Sequence, residues 1–380
     1  GVTGAFNTFT DVINAIPDNS ASGECATATV YILPGTYMLQ PSDLSNHKQI
    51  NFIGTSYGGI PAICVTGSST SYGNKNWYSV RFVGPQVPAL NPSAGIYTME
   101  NVQPNIFIED DFDNCTIESN FQFIINNQFL TFEHCYFYNA PLLRQGIITV
   151  NNTAYYDCTD CEFYFENGTG STVNYLIGMF AGVDANNFNS IFDDCQITGN
   201  SSSMPMSIFA FNANSAQLLT FNSSYINVAN FNSQFIYYFG PANPLAPGFA
   251  NVQLMVSNSQ FVGAGNQGTL NCVLGNLYSN NNAALSNLQP IILSGLTINN
   301  MTLLDYTNPP VGLNFAKLII SDILLNAAAQ SAAPISINLL SSEQLKMTMQ
   351  SVSILSQVNF NFPVMRVTAV GGVSVPVVLN

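Results

Sequence analysis

Charge is what this chain has least of. Only 7% of its 380 residues are charged, with 7 Lys plus Arg against 21 Asp plus Glu and a formal net charge of −14. An ordinary soluble domain carries roughly 25%. Nucleic acid is excluded as a partner, because displacing counterions from a phosphate backbone takes clustered cations. Anionic membrane surfaces are disfavoured for the same reason, and an acidic polysaccharide would need a divalent cation as a bridge. No run of 18 apolar residues is present, so no segment reads as a membrane-inserted helix. Histidine occurs only as His47 and His134, and tryptophan only as Trp77. There is no P-loop, no GxSxG elbow and no HExxH.

What is abundant is apolar side chain, at 47%, set among Asn, Ser, Thr, Gln and Gly. A surface solvated by amides and hydroxyls suits stacked strands, where like charges side by side would repel. One phrase recurs: Phe112-Asp113-Asn114-Cys115-Thr116-Ile117, then Phe132-Glu133-His134-Cys135-Tyr136-Phe137, then Asp160-Cys161-Glu162-Phe163. Phe192-Asp193-Asp194-Cys195-Gln196-Ile197, Phe221-Asn222-Ser223-Ser224-Tyr225-Ile226 and Val256-Ser257-Asn258-Ser259-Gln260-Phe261 continue it. The Cys/Ser positions are spaced by 20, 26, 34, 29 and 35 residues. Repeats of this period predict a solenoid. The Cys/Ser residue and the apolar residue two later share a face and point inward, and the polar pair before them forms a bend.

Residues 8–16 read as a helix, with Phe9, Val12, Ile13 and Ile16 on one stripe, Thr8 and Asp11 as a capping box and Pro17 as the stop. Val30-Tyr31-Ile32-Leu33-Pro34-Gly35-Thr36-Tyr37 reads as strand, Pro-Gly turn and strand, and Gln49-Ile50-Asn51-Phe52-Ile53-Gly54-Thr55 as an alternating strand. Helix, "VYILPGTY" and "INFIGT" in that order resemble the opening of the pectin-lyase-like superfamily, most of all its pectinesterase-type members, over residues 4–56. The resemblance implies an all-β, right-handed parallel β-helix with a short N-terminal capping helix. Residues 1–22 are then the cap, 23–300 the β-helix and 301–380 carboxyl-terminal rungs serving assembly. Further short β-type runs are Tyr78 to Val83, Phe121 to Ile125, Gly146 to Val150 and Lys317 to Leu324. About ten to twelve rungs are expected, spaced by about 4.8 Å.

The resemblance arrives without the catalytic sets of its enzymes. The "GTYxE" of pectinesterase-like proteins is Gly35-Thr36-Tyr37-Met38-Leu39, lacking the Glu, and no Gln-Asp-Thr-Leu-like stretch follows. Asp193-Asp194 matches the paired acids of polygalacturonase-like enzymes, but neither His47 nor His134 is flanked by Gly. Only Arg81, Arg144 and Arg366 could serve as the arginine of a lyase.

Three groups remain as candidate sites. Asp113, Glu133, Asp160 and Asp193 recur at rung spacing and could bind a structural Ca²⁺ as a ladder, or stand as a hydrated turn. Trp77, Tyr78 and Arg81 gather aromatic and basic groups that could contact a glycan. Cys158-x-x-Cys161 with His134 and Cys135 offers four zinc-type ligands, against a packed column of free thiols or a disulfide such as Cys158–Cys161. The function expected is a non-catalytic structural or surface protein: a component of a fibre, virion exterior or cell-surface appendage, hence extracellular. Its carboxyl end carries no evident amphipathic cap and is expected to be covered by a protein partner, by another copy or by further sequence. A polysaccharide-active enzyme of the pectinase type and a glycan-binding adhesin are the alternatives.

Overall fold

The computed structural model describes residues 4–17, 27–65, 67–84, 95–100, 109–118, 121–126, 129–139, 148–151, 154–167, 175–180, 187–201, 207–212, 216–227, 234–239, 252–263, 272–275, 291–306, 318–326, 335–339, 347–355 and 365–369. Among them the protein is nearly all β. The single helix, Phe9–Ala15, starts at Thr8, whose hydroxyl oxygen accepts the Asp11 N–H at 3.1 Å. Its Phe9 packs edge-on against Tyr37, Phe52 and Trp77, so the helix lies against the first strands. No helix of the described residues is long and apolar enough to cross a membrane.

The strands form a 22-stranded and an 11-stranded sheet, and the registered strand pairs are parallel throughout. Three ladders make up the two sheets. One repeat supplies Phe129–Glu133 to the first ladder, Tyr136–Asn139 to the second and Ile148–Asn151 to the third. The next supplies Ala154–Thr159, Glu162–Asn167 and Tyr175–Phe180, each pairing with its predecessor. The first ladder begins at Ala28–Ile32 and runs through Leu318–Asn326 to Met347–Leu355, with no loss of register past residue 300. The third starts at Ser68–Ser71 and ends at Met365–Ala369.

Strand alternation places one side chain of every two inside. Along the first ladder Phe52, Trp77, Phe112 and Phe132 are inward register partners, and Cys158, Phe192 and Phe221 continue them. Like rings stack: Phe52 on Trp77 at 4.1 Å, Phe137 on Phe163 at 4.5 Å and Phe192 on Phe221 at 4.6 Å between centroids. Each such pair adds about 0.5–1.5 kcal/mol beyond its area burial.

The first two passages from first to second ladder run through residues 33–35 and 55–61, and from the third repeat on the bend is a single left-handed residue. Ser79, Asn114, His134, Asp160, Asp194, Ser223, Asn258, Gly295, Asp322 and Ser351 all have φ between 50° and 63°. That conformation crowds Cβ, and Gly, Asn and Asp accept it most readily. From Ser79 to Gly295 the N–H at the bend bonds the carbonyl closing the next strand, as in Asn114 to Glu133 at 3.0 Å and His134 to Thr159 at 3.1 Å. The expected single run from Tyr78 to Val83 is therefore corrected: it breaks at Ser79 into Lys75–Tyr78 and Arg81–Val83. Of the two readings of the cysteines, the column of free thiols is the one found: Cys64, Cys115, Cys135, Cys158, Cys161 and Cys195 are all free.

Candidate functional site

Asp113 and Glu133 end adjacent first-ladder strands and are register partners. Because Phe112 and Phe132 point inward, the two carboxylates point outward. The bend then delivers His134 beside them. Its Nδ1 lies 3.1 Å from Asp113 Oδ1, and its Nε2 lies 3.7 Å from Asp160 Oδ2 on the following rung. One donor atom each from Asp113, Glu133 and His134 lie within 4.8 Å of one another. The Asp113 hydrogen bond, and then the charges of Asp113, Asp160 and Glu133, raise the His134 pKa. Burial, followed by Asp111, Asp113 and Glu133, raises that of Tyr78. The patch thus carries a negative field that favours a cation.

The four carboxylates expected to form a ladder do not share one point. Asp160 reaches the edge of the group through His134. Asp193 is separated from Glu133 by Thr159 and instead accepts Asn222 Nδ2 at 2.8 Å. Asn222 Oδ1 in turn accepts Ser257 Oγ and Asn258 Nδ2, at 2.9 and 3.1 Å. That column is a solvated hydrogen-bond ladder. Between the two regions lies Asp157, whose Oδ1 is buried without a hydrogen-bond partner. Burial, then the charges of Asp193 and Glu133, push its carboxyl pKa up.

The aromatic and basic group does not form a sugar platform. Trp77 is fully buried, stacked on Phe52, with Nε1 3.4 Å from Tyr97 Oη. A glycan contact would need it outside, and the register with Phe52 and Phe112 puts it inside. Tyr78 faces the acids, and Arg81 pairs with Glu118 at 3.2 Å. The zinc set fails on the same alternation. Cys135, Cys158 and Cys161 lie inside and His134 outside. Among the described residues, Asp113, Glu133 and His134 are the one group with metal-ligand spacing.

The inward thiols have a backbone role. Cys135 donates toward the carbonyls of Phe112 and Glu133, at 3.3 and 3.2 Å. Ser224 does the same to Asn222 at 2.8 Å, and its oxygen accepts the buried Cys195 N–H at 3.2 Å. The hydrogen bond with Cys115 raises the Cys135 thiol pKa, burial that of Cys158, and the bond with Cys161 that of Cys195. None is poised as a thiolate.

Sequence reading missed an interior polar network. Asp110 and Lys75 are fully buried. Asp110 Oδ1 accepts the Lys75 backbone N–H at 2.8 Å, and Oδ2 accepts the Tyr97 hydroxyl at 2.6 Å. Lys75 Nζ donates to the carbonyls of Gly73 and Asn46, at 2.7 and 2.8 Å. Burial raises the Asp110 pKa to about 6, and burial lowers that of Lys75 to about 8. The network braces residues 46–48 against the third and fourth rungs, and Lys48 Nζ carries the brace to the helix carbonyl of Ile13 at 2.6 Å. The signal was present: Asp110 stands two before Phe112 and Lys75 two before Trp77, so both share the face of an aromatic.

No protein-family model matches the chain, and no curated protein matches it.

Proposed function

We propose that the three ladders close into a right-handed parallel β-helix of the pectin-lyase-like type, and that this solenoid is a non-catalytic building element of an extracellular assembly. A fibre, a virion exterior or a cell-surface appendage fits equally. The observation that carries the reading is the state of the last rung. Ile320, Ile323 and Leu325 are buried, while their register partners Met349, Val352 and Ile354 are only half-buried among the described residues, with Leu355 exposed beside them. An apolar end of this kind favours association with a partner or another copy. The outward columns of amide, hydroxyl and stacked ring, such as Tyr138 on Tyr164 at 5.5 Å, support a durable surface rather than a reactive one.

Light scattering with electron microscopy of the purified chain tests this. Oligomers or filaments joined end to end are expected. A monodisperse monomer at all concentrations, unaffected by Leu355→Glu, would overturn the assembly role.

A further inference from the structure

We propose that Asp113, Glu133 and His134 bind one divalent transition metal of the Zn²⁺ class, with Asp160 as the orienting carboxylate behind the imidazole. Calcium takes six to eight oxygen ligands. This group offers two carboxylates and an imidazole nitrogen, the mixed O/N set that Zn²⁺ accepts with a water as fourth ligand. Metal–ligand bonds of about 2.0–2.2 Å hold neighbouring ligand atoms of a tetrahedron about 3.3 Å apart. His134 Nδ1 and Asp113 Oδ1 stand 3.1 Å apart, and the donor atoms of the three residues span no more than 4.8 Å.

The other imidazole nitrogen completes the case. A ligating histidine usually gives its second N–H to a carboxylate, which fixes the ring and raises its basicity. His134 Nε2 faces Asp160 Oδ2 at 3.7 Å, from the rung beyond the ligands. The site requires only the stacking of adjacent rungs, so it holds whether or not the chain assembles.

Calorimetric titration of the chelator-treated protein with Zn²⁺, paralleled by Co²⁺ absorbance, tests the site. One saturable site per chain and a four-coordinate Co²⁺ spectrum are expected. His134→Asn keeps a side chain suited to the left-handed bend and removes the imidazole; it should weaken Zn²⁺ at least tenfold, and Glu133→Gln likewise. Asp160→Asn should cost about 10–100-fold, while Asp193→Asn leaves binding unchanged. Absence of saturable binding, equal affinity in His134→Asn and the original protein, or displacement of Zn²⁺ by equimolar Ca²⁺ would overturn the proposal.

Discussion

Ser223 holds a left-handed backbone at φ 50° with a side chain that gains little from it. An L-residue there costs roughly 1–2 kcal/mol, and glycine gives back about 0.5–1 through lost unfolded-state constraint. Ser223→Gly is therefore expected to stabilise by a few tenths of a kcal/mol, and Ser223→Val to destabilise by roughly 1 kcal/mol or more, read as denaturant midpoints. The buried pair is a second residue-scale test. Removing Asp110 alone leaves the Lys75 N–H and the Tyr97 hydroxyl without their acceptor and the buried Lys75 ammonium without the opposing charge of Asp110. Asp110→Ala should cost about 3–5 kcal/mol, and the double change Asp110→Leu with Lys75→Met far less than the sum of its parts. The pair also sets a pH signature. The folded pKa of Asp110 is raised to about 6, so its stabilising contribution is present below the ordinary carboxyl value and is lost as pH rises through 6. The folded pKa of Lys75 is lowered to about 8, so stability falls as pH drops from the ordinary lysine value to 8. The network thus contributes least between about pH 6 and 8, and Asp110→Asn should flatten the acid side of a plot of unfolding midpoint against pH.

At the scale of the element, the bend with its inward Cys or Ser is the unit that repeats. Ser224 both donates to the Asn222 carbonyl and receives the Cys195 N–H, so Ser224→Ala orphans a buried donor at a cost of about 1–3 kcal/mol. Ser224→Cys should be milder, since the same column accepts Cys at 115, 135, 161 and 195. The helix from Thr8, the strands around Val30 and Ile50, and the inward cysteines were legible, because propensity, capping and period two all agree there. The full extent of the repeat was not. A search for Cys or Ser misses the bends at Ser79, Gly295, Asp322 and Ser351, where Val80, Leu296, Ile323 and Val352 take the inward place. An aliphatic side chain fills the same space without the polar mark. The candidate site was half legible. Asp113 and Glu133 were visible from their spacing, whereas the placement of His134 against both Asp113 and Asp160 depends on the rung-to-rung offset at the bend. Asp110 was hidden inside the acidic run Glu109 to Asp113, where composition suggests an exposed face and alternation sends one of the acids inward.

For the whole molecule, the proposed assembly should depend on the last rung and not on the interior. Leu355→Glu is expected to weaken end-to-end association, with the unfolding midpoint nearly unchanged, as followed by sedimentation and thermal unfolding. The bend described above has a larger consequence. From Ser79 to Ser351 each described passage from first to second ladder turns on one left-handed residue, whatever the length of chain elsewhere in the repeat. A whole repeat can be added or deleted without shifting the register of those that remain, each one changing the proposed solenoid's length by about 4.8 Å. The protein is in that sense a ruler: gene duplication could set its reach in fixed increments, while the loops between graduations stay free to diverge.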